Sequence, residues 1–214
     1  EERKLEFSNT LDWSIKLILL IGVPAVIGLV LLSESIILIL FERGAFNAND
    51  SLQASYSLIA LAIGLVAFML IKILTPSFFA RQEPKKPMYV ALASMILNAI
   101  LAWVLAFYFG YGHVGLAAAS SISAFFSVLA LMLLLSLEGI YKPSKGWFKF
   151  SMRLIFASLC LVLFLLTFNE DPIDLRKITN LEQLIYILKM VIFGMALYLI
   201  ALRLTGIKFK EFMT

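Results

Sequence analysis

Few residues in this chain have side chains able to do chemistry, and most of those lie inside or beside apolar runs. Lys72 interrupts the stretch Leu52–Leu74. A cation there either reaches along its stem to the water boundary or faces an aqueous cavity and attracts a phosphate. Asn98 sits near the middle of Met88–Phe109, where a buried amide needs a partner. The ordinary partner is a neighbouring helix; the sharper one is an ion or substrate. Arg153 enters Phe148–Phe168 by one turn and can anchor at the interface or hold a lipid phosphate. Lys189 reads as an interfacial anchor. The apolar run Ile36–Phe41 stops at Glu42-Arg43-Gly44 within LFERGAF, an acid, a base and a flexible residue in sequence.

Enzyme chemistry finds no footing. The one histidine, His113, stands in a turn. No helix carries HExxH or paired carboxylates, and no phosphate-binding glycine loop follows a strand pattern. Cys160 is alone in an apolar run, so it has neither a disulfide partner nor a metal set.

The elements that position these residues follow from composition. Of 214 residues, 62% are hydrophobic and 15% charged, and mean hydropathy is +0.96. Soluble domains hold about 45–50% apolar and about 25% charged residues. This is therefore a membrane protein, and the net charge of +4 belongs to loops rather than to a nucleic-acid surface. The lead-in EERKLEFSNT is not a signal peptide, and the chain reads as a piece of a longer membrane protein.

Six apolar stretches reach the roughly 20 residues a crossing needs. They are Leu11–Leu32, Leu52–Leu74, Met88–Phe109, Val114–Leu137, Phe148–Phe168 and Leu184–Leu204. Barrel strands would alternate over about ten residues, so the spans are helices. The fold class is an all-α, polytopic transmembrane helical bundle.

Loop charges orient it. Arg3 and Lys4, then Arg81, Lys85 and Lys86, then Lys142, Lys145 and Lys149, then Arg203, Lys208 and Lys210 fall on one side. Only Arg43, Arg176 and Lys177 fall on the other. Both ends are then cytoplasmic, and LFERGAF, the Gly110–Gly112 turn and the NEDPID loop face outward. Trp13, Tyr141 and Trp147 fit an interfacial belt.

Local signals add detail. Ser33 predicts a helix cap, Ser35–Phe41 a short helix closed at Gly44, and Asp50 or Ser51 the cap of the next span. Pro24, with Gly22 and Gly28, and Pro76 mark bends. Gly115, Ala119, Ser123 and Ser127 form a small-residue stripe for close packing; the alternative use of that helix is a polar cavity lined by Ser120 or Ser121.

Four motifs carry a resemblance. LFERGAF, followed by Asp50, resembles the outer-loop signature of the MurJ/MviN lipid II flippases, in the multidrug/oligosaccharidyl-lipid/polysaccharide exporter superfamily. MLIKILTPSFFARQEPKKP is similar to that family's K-x-L-x-P-x-F-Y-A-R-Q-D-x-x-x-P. Lys72, Leu74, Pro76, Phe78, Ala80, Arg81, Gln82 and Pro87 match, while Phe79 stands for Tyr and Glu83 for Asp. HVGLAAASSISA and the ending LTGIKFKEF are also similar, so the resemblance covers essentially the whole chain.

The resemblance implies the C-terminal six of about fourteen helices of a two-lobed exporter. Residues 1–140 would be the last four helices of the second lobe, and 141–214 a helix pair grooved for a lipid tail. The function implied is movement of undecaprenyl-linked peptidoglycan precursor across the bacterial cytoplasmic membrane, for cell-wall biogenesis and cell shape. The partners would be lipid II (an undecaprenyl-pyrophosphate-linked muropeptide) and membrane lipids, with no nucleic acid, and the full-length protein a monomer. Lys72, Arg153 and Asn98 become substrate-binding candidates; Glu42, Arg43, Gly44, Pro76, Arg81 and Gln82 become gate or structural positions. Some members place a sodium ligand at the position of Asn98, but their acid one turn later is Ala102 here, so that set is incomplete. The family's pyrophosphate arginines lie largely in helices outside this chain. No cofactor is expected; coupling to membrane potential or to a monovalent cation is left open. Exporters of O-antigen units or drugs, and a non-transporting scaffold, are the alternatives.

Overall fold

The computed structural model describes residues 2–144 and 146–206, with side chains from Leu5 onward. Lys145, Lys208 and Lys210, most of the LTGIKFKEF ending, and the side chains of Arg3 and Lys4 lie outside the described residues. Among those described, all regular structure is helical. Helix α1 spans Glu2–Leu31, α2 Ser33–Phe41 and α3 Ala48–Phe79. Helix α4 spans Lys85–Trp103 and runs on as a π-helical turn, Val104–Tyr108. Helices α5 (Gly112–Leu137), α6 (Trp147–Phe168), α7 (Pro172–Leu175) and α8 (Asn180–Leu204) complete the order.

Six of these are long and apolar enough to cross a membrane: α1, α3, α4 with its π turn, α5, α6 and α8. The predicted spans coincide with them, but α1 begins far ahead of Leu11. Its Glu, Arg, Lys and Leu are good helix formers, and no glycine or proline stops them. Pro24 lies inside α1 and Pro76 inside α3, and neither ends its helix.

Two predicted caps are corrected. Leu32 precedes α2, so Ser33 is its first residue, and the Ser33 hydroxyl donates back to the Val30 carbonyl at 3.0 Å. Asn47, rather than Asp50 or Ser51, caps α3. Its Oδ1 accepts from the backbone N–H of Asn49 and Asp50 at 2.9 and 3.2 Å, while Asp50 Oδ2 accepts from the Asn47 N–H at 3.0 Å. This reciprocal arrangement satisfies donors that a helix start leaves open.

The chain divides into two compact units. One comprises Glu1–Gly22 with Ala60–Trp147, the other Val23–Ile59 with Phe148–Thr214, so α1 and α3 contribute to both. In the first, Leu11 and Ile15 of α1, Leu74 and Phe78 of α3, and Val128, Leu131 and Leu135 of α5 share a core. The stripe Gly115, Ala119, Ser123 and Ser127 is buried along its length. A Cβ at Gly115 would lie 2.7 Å from the Leu105 carbonyl carbon in the π turn, and one at Gly64 2.9 Å from the Ser121 Cα. These approaches are what small residues allow. Ser121 donates to the Ala60 carbonyl at 2.5 Å, across to α3, while Ser120 donates to the Leu116 carbonyl of its own helix at 3.1 Å. In the second unit, Gly194 of α8 lets Leu161 of α6 come close, and Leu38 and Ile39 of α2 pack with Leu175 of α7.

Candidate functional site

In the second unit, the LFERGAF turn builds a polar corner. Gly44 has φ +62°, a left-handed backbone that suits glycine. The turn reverses the chain and presents Glu42 to Arg176, which directly follows α7. Arg176 Nε and Nη2 donate to the two Glu42 oxygens at 2.8 and 3.1 Å. That contact holds the Glu42 carboxyl below the usual carboxylate range and raises Arg176. Glu42 therefore pairs with a residue 134 positions away rather than with its neighbour. Arg43 turns back and donates to the Ile39 carbonyl at 3.2 Å.

The partner helix α7 was not legible in the acidic NEDPID loop. Pro172 starts it with a fixed φ. Leu175 is fully buried, and its carbonyl accepts from the Gln183 amide at 2.7 Å. Thr179 and Glu182 form a capping box that starts α8 at once. Glu42, Arg43, Arg176, Asn180 and Gln183 line a polar cavity of about 240 Å³.

The same unit holds an apolar groove of about 350 Å³. Pro24 and Gly28 of α1, Ile36 of α2, Leu161 of α6, and Gly194 and Met195 of α8 are among its lining. A Cβ placed on Gly28 would meet nothing within 4 Å, so open space stands in front of it. With almost no polar lining, the groove suits a hydrocarbon chain and offers a charged head no partner.

Arg153, also in this unit, donates to the Gly206 carbonyl at 3.2 Å, beyond the last turn of α8. A cation there complements the negative helix end, and its guanidinium keeps further donors.

In the first unit, Arg81 and Gln82 form the turn after α3. Gln82 has φ +59°, in the left-handed region that non-glycine residues seldom enter. Arg81 lies 2.9 Å from Glu83 Oε1 and 2.9 Å from Glu138 Oε2, the latter a contact of charge rather than an aligned hydrogen bond. Lys86 reaches Glu83 at 2.6 Å and also pairs with Glu138. Lys86 and then Arg81 lower the Glu138 carboxyl. These four residues, with Phe7 and Ile140, line a cavity of about 590 Å³.

A second polar cluster in this unit centres on Asp12, which is 3% exposed. Its carboxylate accepts from the Tyr141 hydroxyl (3.0 Å), the Ser144 hydroxyl (2.6 Å) and the Trp147 indole N–H (2.5 Å), and it pairs with Lys16 at 2.6 Å. Tyr141 and Trp147, read above as belt residues, thus also bind a buried acid. They turn inward because their polar tips have a buried acid to bind, and burial raises the Tyr141 hydroxyl above its ordinary range. Asp12 and Lys16 stand at i, i+4 spacing inside an apolar span, which was the available signal.

Lys72 is exposed on α3 and Asn98 half-buried on α4, and neither has a side-chain hydrogen bond or ion pair among the described residues. The structure thus groups Glu42, Arg43 and Gly44 in one corner and Arg81 and Gln82 in another, with Pro76 one turn before the latter. Arg176, Asp12 and Glu138 are the polar partners that sequence reasoning missed.

A family model described as "Lipid II flippase MurJ" matches residues 1–171. The chain belongs to the lipid II flippase MurJ family. It is 35% identical over 209 residues to a probable lipid II flippase MurJ of Vibrio cholerae, covering 96% of this chain and 39% of that protein. It is 31% identical over 209 residues to the lipid II flippase MurJ of Burkholderia cenocepacia, covering 97% and 40%. A solved structure titled lipid II flippase MurJ, inward closed conformation, matches with a TM-score of 0.74 at 25% identity, covering 97% of this chain and 40% of that one. The chain therefore spans about 40% of the length of the MurJ proteins it matches. Six apolar helices and MurJ membership make it part of a multi-pass protein of the inner membrane.

Proposed function

We propose that this chain is the C-terminal six-helix portion of a lipid II flippase. The whole protein moves undecaprenyl-linked peptidoglycan precursor from the inner to the outer leaflet by alternating access. The observation that carries this reading is the MurJ family match over residues 1–171; the groove along Gly28, Leu161 and Gly194 supplies this portion's share of the task. A charged head must be hidden from about 30 Å of hydrocarbon, while its prenyl tail is at home there. The groove takes the tail. Lys72, exposed and without an ion partner among the described residues, supplies charge to a water-filled cavity for the head. Asn98 offers a neutral hydrogen-bonding group to the same cavity, and Arg153 uses its remaining donors on a lipid phosphate. Glu42, Arg43 and Gly44 shape the outer gate. Pro76, Arg81 and Gln82 shape the inner end of α3. Both ends of the chain are cytoplasmic, as the lysines and arginines of the loops support. No cofactor takes part, and membrane potential or a monovalent cation drives the cycle.

The test uses the full-length protein in a flippase-depleted bacterium. The native protein restores growth. Gly28→Phe places its Cβ where nothing lies within 4 Å and extends its ring into the groove; it is expected to accumulate and to fail to restore growth. Full growth with Gly28→Phe at normal abundance removes the groove from the transport path.

A further inference from the structure

Helix α2 has two jobs that meet at its C-terminal half. Leu32, just ahead of it, and Ile36 help wall the apolar groove. Leu38 and Ile39, half a turn further on, pack with Leu175 of α7 and with Tyr186 and Ile187 of α8. The helix is only nine residues long, too short to hold a fixed place by itself. Glu42, the residue after its last turn, makes the contact with Arg176. Both oxygens of Glu42 are engaged, and the two side chains are only 16% and 29% exposed. A bidentate contact sets direction as well as proximity. Arg43 is turned toward the Ile39 carbonyl, so it does not share this role.

The other end of the contact is equally tied. Arg176 is the residue on which α7 closes, its N–H donating to the Pro172 carbonyl at 3.1 Å. Gln183 holds the Leu175 carbonyl. Tyr186 donates to Asn169 Oδ1 at 2.9 Å and accepts from the Glu170 N–H at 2.7 Å, while Asn169 donates to the Leu31 carbonyl at 3.3 Å. The connection from α6 to α8 is thus a braced strap, and Glu42 fastens α2 to it.

We propose that Glu42 and Arg176 are positioning residues for the lipid tail, holding α2 as the end wall of the apolar groove so that the groove retains a polyprenyl chain. This rests on the reading of the groove as a tail site. Neither residue touches the tail; each acts through α2 and its Leu32–Ile36 face. Breaking the pair loosens the wall and shortens retention, whereas exchanging the two charges keeps it.

The experiment uses the full-length protein in vesicles with a photoreactive polyprenyl phosphate, read as labelling of α6 and α8 peptides. The native protein is labelled at Leu161 or Met195. Glu42→Arg and Arg176→Glu each reduce that labelling by about three- to fivefold, the size expected for a partly exposed bidentate pair. The double reversal restores it, and Arg176→Lys, which keeps the charge but loses the fork, is intermediate. Normal labelling in both single reversals, or no recovery in the double, overturns the positioning role and leaves the groove standing. Absence of labelling at the groove in the native protein overturns the groove reading itself, and this inference with it. If the single reversals do not accumulate, a Glu42→Cys/Arg176→Cys protein joined by a bifunctional thiol reagent replaces them. Labelling that is higher after joining supports the role; equal labelling before and after overturns it.

Discussion

Arg176 grips Glu42 with two hydrogen bonds, of 2.8 and 3.1 Å, across 134 positions of sequence. The contact joins the turn after α2 to the helix between α6 and α8. It converts LFERGAF from a local stop into one half of a tertiary brace.

The first prediction concerns its pH dependence. The Glu42 carboxyl is lowered by Arg176. A carboxylate with a lowered folded pKa stabilises the protein above its unfolded pKa, about 4.3. That stability is lost as pH falls through the folded value. Thermal unfolding of the full-length protein in detergent should place Glu42→Gln below the native protein at pH 7. The gap is about 1 kcal/mol or less for a partly exposed pair, and it should close progressively below about pH 4. A gap that persists unchanged at low pH would assign the effect to packing.

Asp12 gives a larger effect. Its substitution by Ala removes the ion partner of Lys16, which keeps the Ser144 hydroxyl at 2.7 Å, and removes the acceptor shared by Tyr141, Ser144 and Trp147. Lys16 is 18% exposed, so the loss is about 1–3 kcal/mol, the size for buried polar groups left without their acceptor, rather than that of a fully buried ion pair. Proteolysis near residues 141–147 should accelerate strongly in Asp12→Ala. Asp12→Asn, which keeps an acceptor, should fall between the two.

Gly64 tests the small-residue packing. A Cβ there would lie 2.9 Å from the Ser121 backbone, which no rotamer change relieves. Gly64→Val should therefore destabilise by about 1–3 kcal/mol, seen as a lower melting temperature. Gly28→Val, where the space is open, should melt close to the native protein. Equal melting of the two variants would argue against close approach at Gly64.

Lys72 separates anchoring from transport. In the full-length protein, Lys72→Ala at normal abundance should impair growth of a flippase-depleted strain, and Lys72→Arg should retain most of it. Unimpaired growth with alanine would return Lys72 to the role of a snorkelling side chain.

How much of this was readable depends on the range of the forces involved. Six spans and the reversal at Gly44 were legible because hydropathy and backbone preference act locally, over about 20 residues or fewer. The stripe Gly115–Ser127 was legible because a helix puts every fourth residue on one face. The start of α3 was misassigned by three or four residues, since Asn47, Asp50 and Ser51 all have capping chemistry and only geometry chooses among them. The bonds of Tyr141 and Trp147 to Asp12 were not legible, because a residue type that suits an interface equally suits a buried acid.

By itself, the sequence determined an all-α membrane chain, its six crossings, the turn residues and the family motifs, all properties of contiguous residues in a solvent without hydrogen-bonding partners. Only the tertiary structure decided that Glu42 belongs to Arg176, that Asp12 gathers Tyr141, Ser144 and Trp147, and that Gly28 and Gly194 leave a groove. Those pairings join residues more than a hundred positions apart, or depend on space left empty, and neither a charge nor a void carries a record of its partner along the chain.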